Sequence, residues 1–188
     1  MSVIKKHIIQ FPDFPNFKPN LTPVQIFALG SFGGSYWRPI YSNITKKNYS
    51  EKHLDLPKDW WKDTPSNYLT NQKEDIAINK YKVHSGTSLE YWESKGWINP
   101  IDPYGWVQWY CHFYNGRRTE DDKRQIKRWI NFAGPKGRWK IRLIGNIIRN
   151  NSDFDDTNIS PVIRQGLQHW GYKLTKSDVE NVKWNSDF

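Results

Sequence analysis

Cys111 and His112 are adjacent, and a thiol beside an imidazole is the pairing from which nucleophilic catalysis is built. Their spacing argues against that role. Neighbouring side chains on a helix diverge by about 100°, so the two cannot serve each other. The surrounding stretch, Gly105 to Arg118 ("GWVQWYCHFYNGRR"), reads as a helix over 106–114 that is apolar nearly all round. A thiol buried there is expected to be structural and inert. Metal chemistry finds little more. His7, His53, His84, His112 and His169 never fall at ligand spacing, and one cysteine excludes a Cys-rich zinc site or an internal disulfide. Glu120, Asp121 and Asp122 could hold a magnesium ion, but they open a helix, where capping and the helix dipole favour acids anyway. Glu90, Glu93, Asp102 and Asp121 supply enough carboxylates for two-acid chemistry, yet the sequence pairs none of them. The "GSFGG" loop at 30–34 lacks the Lys-Ser/Thr and the preceding strand of a phosphate loop and reads as a plain turn. No nucleophile elbow, kinase set or HExxH is present. The expectation is therefore no metal and no cofactor.

Arginines interleaved with aromatic rings are the stronger signal. Arg117, Arg118, Arg124, Arg128, Arg138 and Arg142 lie close in sequence to Trp106, Trp109, Tyr110, Trp129 and Trp139, and Arg38 follows Trp37. Guanidinium groups suit phosphates, and flat rings stack on unpaired bases. These seven arginines are the candidate nucleic-acid or anion-binding residues. The same pattern also suits an internal Arg–Trp scaffold, or the binding of a smaller anion or a protein.

Charge gives the arginines weight. The 188 residues carry a net charge of +9. Residues 117–149 hold 11 lysines and arginines against three acids, so this stretch is +8 and the remainder sums to about +1. Such a concentration attracts polyanions. The mean hydropathy is only −0.85 despite 11 Trp, 10 Tyr and 9 Phe. The core must be made largely from amphipathic rings, each with a large contact area and, for Trp and Tyr, a polar handle. No signal peptide opens the chain and no apolar run approaches a membrane span. A soluble intracellular protein, cytoplasmic or nuclear, is expected.

The elements that must position these residues read as mainly α: five or six short helices packed on a central aromatic helix. Residues 1–22 form an extended Phe/Pro-rich arm, with a strand possible over 3–11, and residues 23–188 form one aromatic-rich domain. Phe11, Phe14 and Phe17 are spaced by three, so a polyproline II arm would present all three on one face. That face could strap the arm to its own domain or dock a protein partner through residues 11–19. Thr22 and Pro23 begin a helix that Gly30 ends. Residues 41–84 give little pattern. Thr87 and Glu90 make a capping box for a helix that Gly96 stops. Thr119, with Asp122, caps a helix over 120–133 with Ile126, Trp129, Ile130 and Ala133 inward. A further helix over 138–149 buries Ile141, Leu143, Ile144, Ile147 and Ile148. Ser160 and Pro161 open another, with Ile163, Leu167 and Trp170 inward.

"FALGSFGGSYWRPI" (27–40) and "GWINPIDPYGWVQWYCHFYNGRRTEDDKRQIKRW" (96–129) together resemble a widespread group of small proteins. The group carries a Phe-Gly-Gly-x-Tyr turn followed by a long Trp/Gly/Pro-rich signature ending in Gly-Arg-Arg and Arg-Trp. The resemblance covers roughly 18–40 and 88–132, with an echo in "RQGLQHWGY" (164–172). It brings no reaction with it. His112 stands where the group usually has arginine, which implies that this histidine is not essential.

The expected function is nucleic-acid binding, DNA or RNA, through the basic region 117–149. The alternatives are a hydrolase acting on nucleic acid or a nucleotide, with Glu120, Asp121 and Asp122 as its acids, and a protein-interaction scaffold.

Overall fold

A computed structural model describes residues 8–184. The described chain is mainly helical, with one two-stranded sheet. Helix α1 (Pro23–Ala28) starts as its sequence dictates. Thr22 Oγ1 accepts from the Gln25 amide at 3.1 Å, and Gln25 Oε1 accepts from the Thr22 amide at 2.8 Å. The chain then turns at Gly30, where φ is +89° and a Cβ would lie 2.0 Å from the Ile78 carbonyl oxygen. Only glycine fits there.

Strands β1 (Ile40–Ser42) and β2 (Lys47–Tyr49) form an antiparallel hairpin, with Ile40 opposite Tyr49. Helix α2 (Leu89–Ser94) holds this hairpin from a distance in sequence. Its buried Glu93 accepts from Ser42 Oγ, the Asn43 amide and Asn43 Nδ2. Ser88, not Thr87, caps α2; Thr87 Oγ1 instead accepts from Trp92 Nε1 at 2.8 Å.

Helix α3 (Trp106–Tyr114) is the central aromatic helix, buried except for the half-exposed His112 and Tyr114. Gly105 precedes it and offers no side-chain cap, so the core supplies one. Tyr36 Oη accepts from the Gln108 amide at 2.9 Å and donates to the Tyr104 carbonyl at 2.7 Å. Gln108 Oε1 reaches back to the Tyr104 amide at 2.9 Å. Cys111 is fully buried, and burial pushes its thiol well up.

Helices α4 (Asp122–Ala133), α5 (Arg138–Arg149), α6 (Pro161–His169) and α7 (Lys176–Trp184) complete the body. On α5 the inner face is Lys140, Leu143, Ile144 and Ile147, at i, i+3, i+4 and i+7; Ile141 and Ile148 are exposed. A lysine takes a core position because Tyr172 Oη accepts from its Nζ at 2.8 Å and Asp178 of α7 pairs with it at 2.6 Å. A buried cation needs such partners.

The Phe/Pro arm lies against α3. Phe17 packs on Trp109, Tyr110, Phe113 and Trp129 at ring-centroid distances of 5.1–5.8 Å. Phe11 packs on Phe17 at 5.3 Å and Phe113 at 4.9 Å. The arm is not polyproline II, which carries no internal hydrogen bonds. Two turns close it instead, Phe14 N–H to Phe11 O and Phe17 N–H to Phe14 O, each 2.9 Å. Of the strand expected over 3–11, residues 3–7 lie outside the described residues and Ile8–Gln10 form none.

Candidate functional site

The seven candidate arginines divide into two groups. Arg117 pairs with the buried Asp102, and Arg124 with the buried Asp121. Arg118 pairs with Asp13 of the arm at 2.6 Å, donates to the Phe113 carbonyl at 2.9 Å, and lays its guanidinium 3.8 Å over the Phe113 ring. Each of these three has a carboxylate partner. Arg128 has none. Its guanidinium lies over Trp97 at 5.6 Å and Trp170 at 5.4 Å and donates only to neutral oxygens, Trp97 O at 3.1 Å and Gln125 Oε1 at 2.9 Å. Burial lowers Arg128 to about 10, so it stays charged at neutral pH. Arg138 and Arg142 both lie over the Trp139 ring, at 5.2 and 5.5 Å. Arg38 donates to the Ser35 carbonyl at 3.0 Å.

Arg38, Arg128 and Arg138, with Lys136, line one cleft of about 1380 Å³; Arg117, Arg118, Arg124 and Arg142 do not. The cleft is framed by the glycine loop, α2, the segment before α3, the end of α4, the start of α5 and α6. Its walls are rings: Phe32, Tyr36, Trp92, Trp97, Trp106, Phe132, Trp139 and Trp170. Among the described residues the one carboxylate lining it is Glu74, which bonds His84 Nδ1 at 2.7 Å. That bond holds the His84 imidazole above its ordinary value. Aromatic walls and cations that make no ion pair among the described residues are therefore brought together, beside the His84–Glu74 pair.

Two of the three acids, Asp121 and Asp122, serve the fold. Asp122 accepts from Trp109 Nε1 at 2.8 Å, the Thr119 amide at 2.9 Å and Thr119 Oγ1 at 3.1 Å. Asp121 takes Arg124 and Gln125 Nε2. Among the described residues no group of three or more His, Cys, Asp or Glu side chains could hold a metal ion.

The glycine loop is not an open anion nest. The Phe32 amide donates to His169 Nε2 at 3.1 Å and the Gly33 amide to Asn79 Oδ1 at 2.7 Å. The Gly34 and Ser35 amides close local turns at 3.0 Å. The loop instead builds the cleft floor. Phe32 adopts φ +54°, a conformation costly for a bulky residue, and its ring stacks on His169 with centroids 3.8 Å apart. Gln165 and Gln168 of α6 fasten the loop by donating to the Gly30 carbonyl at 3.2 and 2.8 Å. Sequence reasoning missed His169, Gln165 and Gln168. They fall at i, i+3 and i+4 on α6, a polar face that normally meets water.

His169 is 5% exposed, and burial drives its imidazole down to about 3. The folded state therefore binds the proton less well than the unfolded chain. This contribution to stability is present above the unfolded value of 6.5 and is lost as pH falls toward 3. At pH 5 it amounts to a loss of about 2 kcal/mol relative to pH 7. His112, lowered to about 4, and His53, also lowered, act in the same direction, and His84 opposes them. Urea unfolding of wild type and His169→Gln at pH 7 and pH 5 isolates the effect: the variant should lose less stability on acidification, by about that amount. Equal losses would contradict the assignment.

Comparison with protein-family models, with curated proteins and with solved structures finds no match for this chain. No helix among the described residues is long and apolar enough to cross a membrane.

Proposed function

We propose that the protein binds nucleic acid through unpaired nucleotides lodged in this cleft. Arg128 carries the reading. A half-buried guanidinium costs free energy to desolvate, and a carboxylate usually compensates it. Arg117, Arg118 and Arg124 each have one. Arg128 lies instead between two tryptophans at the cleft, an arrangement that an incoming phosphate would complete. Arg38, Lys136 and Arg138 supply further phosphate contacts, and the rings supply stacking worth about 1–3 kcal/mol per base. Duplex DNA keeps its bases stacked inside, so single strands should bind better.

Of the acids named for a hydrolase, Glu120, Asp121 and Asp122, the last two are engaged in pairing and capping, which favours binding over hydrolysis. The arm's Phe11 and Phe17 face the core, which favours a strap over a protein-docking peptide.

The test is fluorescence anisotropy with labelled single-stranded and duplex DNA and RNA at two salt concentrations. Each phosphate contact on a single strand contributes about −0.7 to the log–log salt slope. The cleft cations predict a slope of roughly −2 to −3 and tighter binding of single strands. No binding of any polyanion at low salt would end this reading.

A further inference from the structure

His169 is a buried polar group at the cleft that the phosphate contacts leave unused. Two donors converge on its Nε2: the Phe32 amide at 3.1 Å and Gln165 Nε2 at 3.0 Å. A nitrogen that accepts both carries no proton, so the single proton of the neutral ring sits on Nδ1. Nδ1 has no hydrogen-bond partner among the described residues, and His169 lines the cleft. The ring is fixed by its stack on Phe32, whose positive φ is held at the same point. Strain retained around one polar ring is what a preorganised contact requires.

Resting on the nucleic-acid reading, we infer that the inner end of the cleft holds one unstacked nucleobase by an exocyclic carbonyl, with the Nδ1–H of His169 as the donor that selects it. The ring facing the base offers a donor and no acceptor. A carbonyl oxygen projects from the base and accepts over a broad range of directions. Adenine has no exocyclic carbonyl and offers only ring nitrogens, each with one in-plane lone pair that accepts over a narrower range of directions. Thymine and uracil present carbonyls flanking a ring N–H. Burial keeps this imidazole neutral, so the contact adds no positive charge to that of the cleft arginines.

The test measures binding of labelled dT12 and dA12 to wild type and to His169→Phe, which retains an aromatic ring and removes the donor. Wild type should prefer dT12 about tenfold, the equivalent of one hydrogen bond in a dry site. The variant should fall below threefold with an unchanged salt slope. A preference that survives the substitution, or none in wild type, overturns this inference while leaving nucleic-acid binding intact. Absence of binding to both oligomers overturns the broader reading as well. Should His169→Phe fail to fold, the 15N resonance of Nδ1 in wild type decides. It should move on adding dT12 and stay in place with an abasic 12-mer. Equal responses to the two would contradict the contact.

Discussion

Replacing Phe17 with alanine should destabilise the protein by about 3–5 kcal/mol, the range for emptying a buried aromatic site. The residue is 1% exposed and sits where the arm meets α3 and α4. Its ring touches Trp109, Tyr110, Phe113 and Trp129, and large rigid rings cannot collapse into the space it leaves. Urea unfolding followed by tryptophan fluorescence measures the loss. A change below about 0.5 kcal/mol, the range of surface substitutions, would mean that the arm is not part of the core and would revive its reading as a docking peptide.

Asp122→Ala should cost about 2–4 kcal/mol for a different reason. It removes the acceptor of Trp109 Nε1–H, a donor on a fully buried ring. It also removes the acceptor of the Thr119 amide and hydroxyl at the start of α4. Asp122→Asn should lose less, because one oxygen remains for Trp109. If the carboxylate is structural, millimolar magnesium or manganese leaves the wild-type thermal midpoint unchanged. A metal bound only by the folded state would raise it by mass action. A rise of several degrees that Asp122→Asn abolishes would contradict the capping role.

Much of the fold is legible because local signals agree with packing. Thr22–Pro23 and Gly30 bound α1, and the run of rings from Trp106 to Tyr114 can only be a core helix. The rest depends on partners far apart in the chain. The hairpin at Ile40–Ser42 and Lys47–Tyr49 has three-residue strands and a polar second strand, and it is held by Glu93, about fifty residues away. Lys140 reads as surface until α7 delivers Asp178. The same limit applies to the site. Arginine next to tryptophan in sequence does not reveal which arginines already have acids. Arg118 meets Asp13 from 105 positions away, and Arg124 meets Asp121 at the residue preceding its own helix. The cleft draws on segments from Phe32 to Trp170, and its floor depends on a histidine on a face that resembles surface.

In the proposed binding mode the cleft, rather than the summed basic charge of residues 117–149, holds nucleic acid. The most direct measurement compares single-strand affinity of Arg128→Gln with that of Lys127→Gln, neighbours on α4 that each remove one positive charge. Lys127 is exposed, whereas Arg128 lines the cleft between Trp97 and Trp170. Arg128→Gln should lose about tenfold, equivalent to about 1.4 kcal/mol, and Lys127→Gln less than twofold. Equal losses from the two variants would place binding on the outer basic surface and not in the cleft.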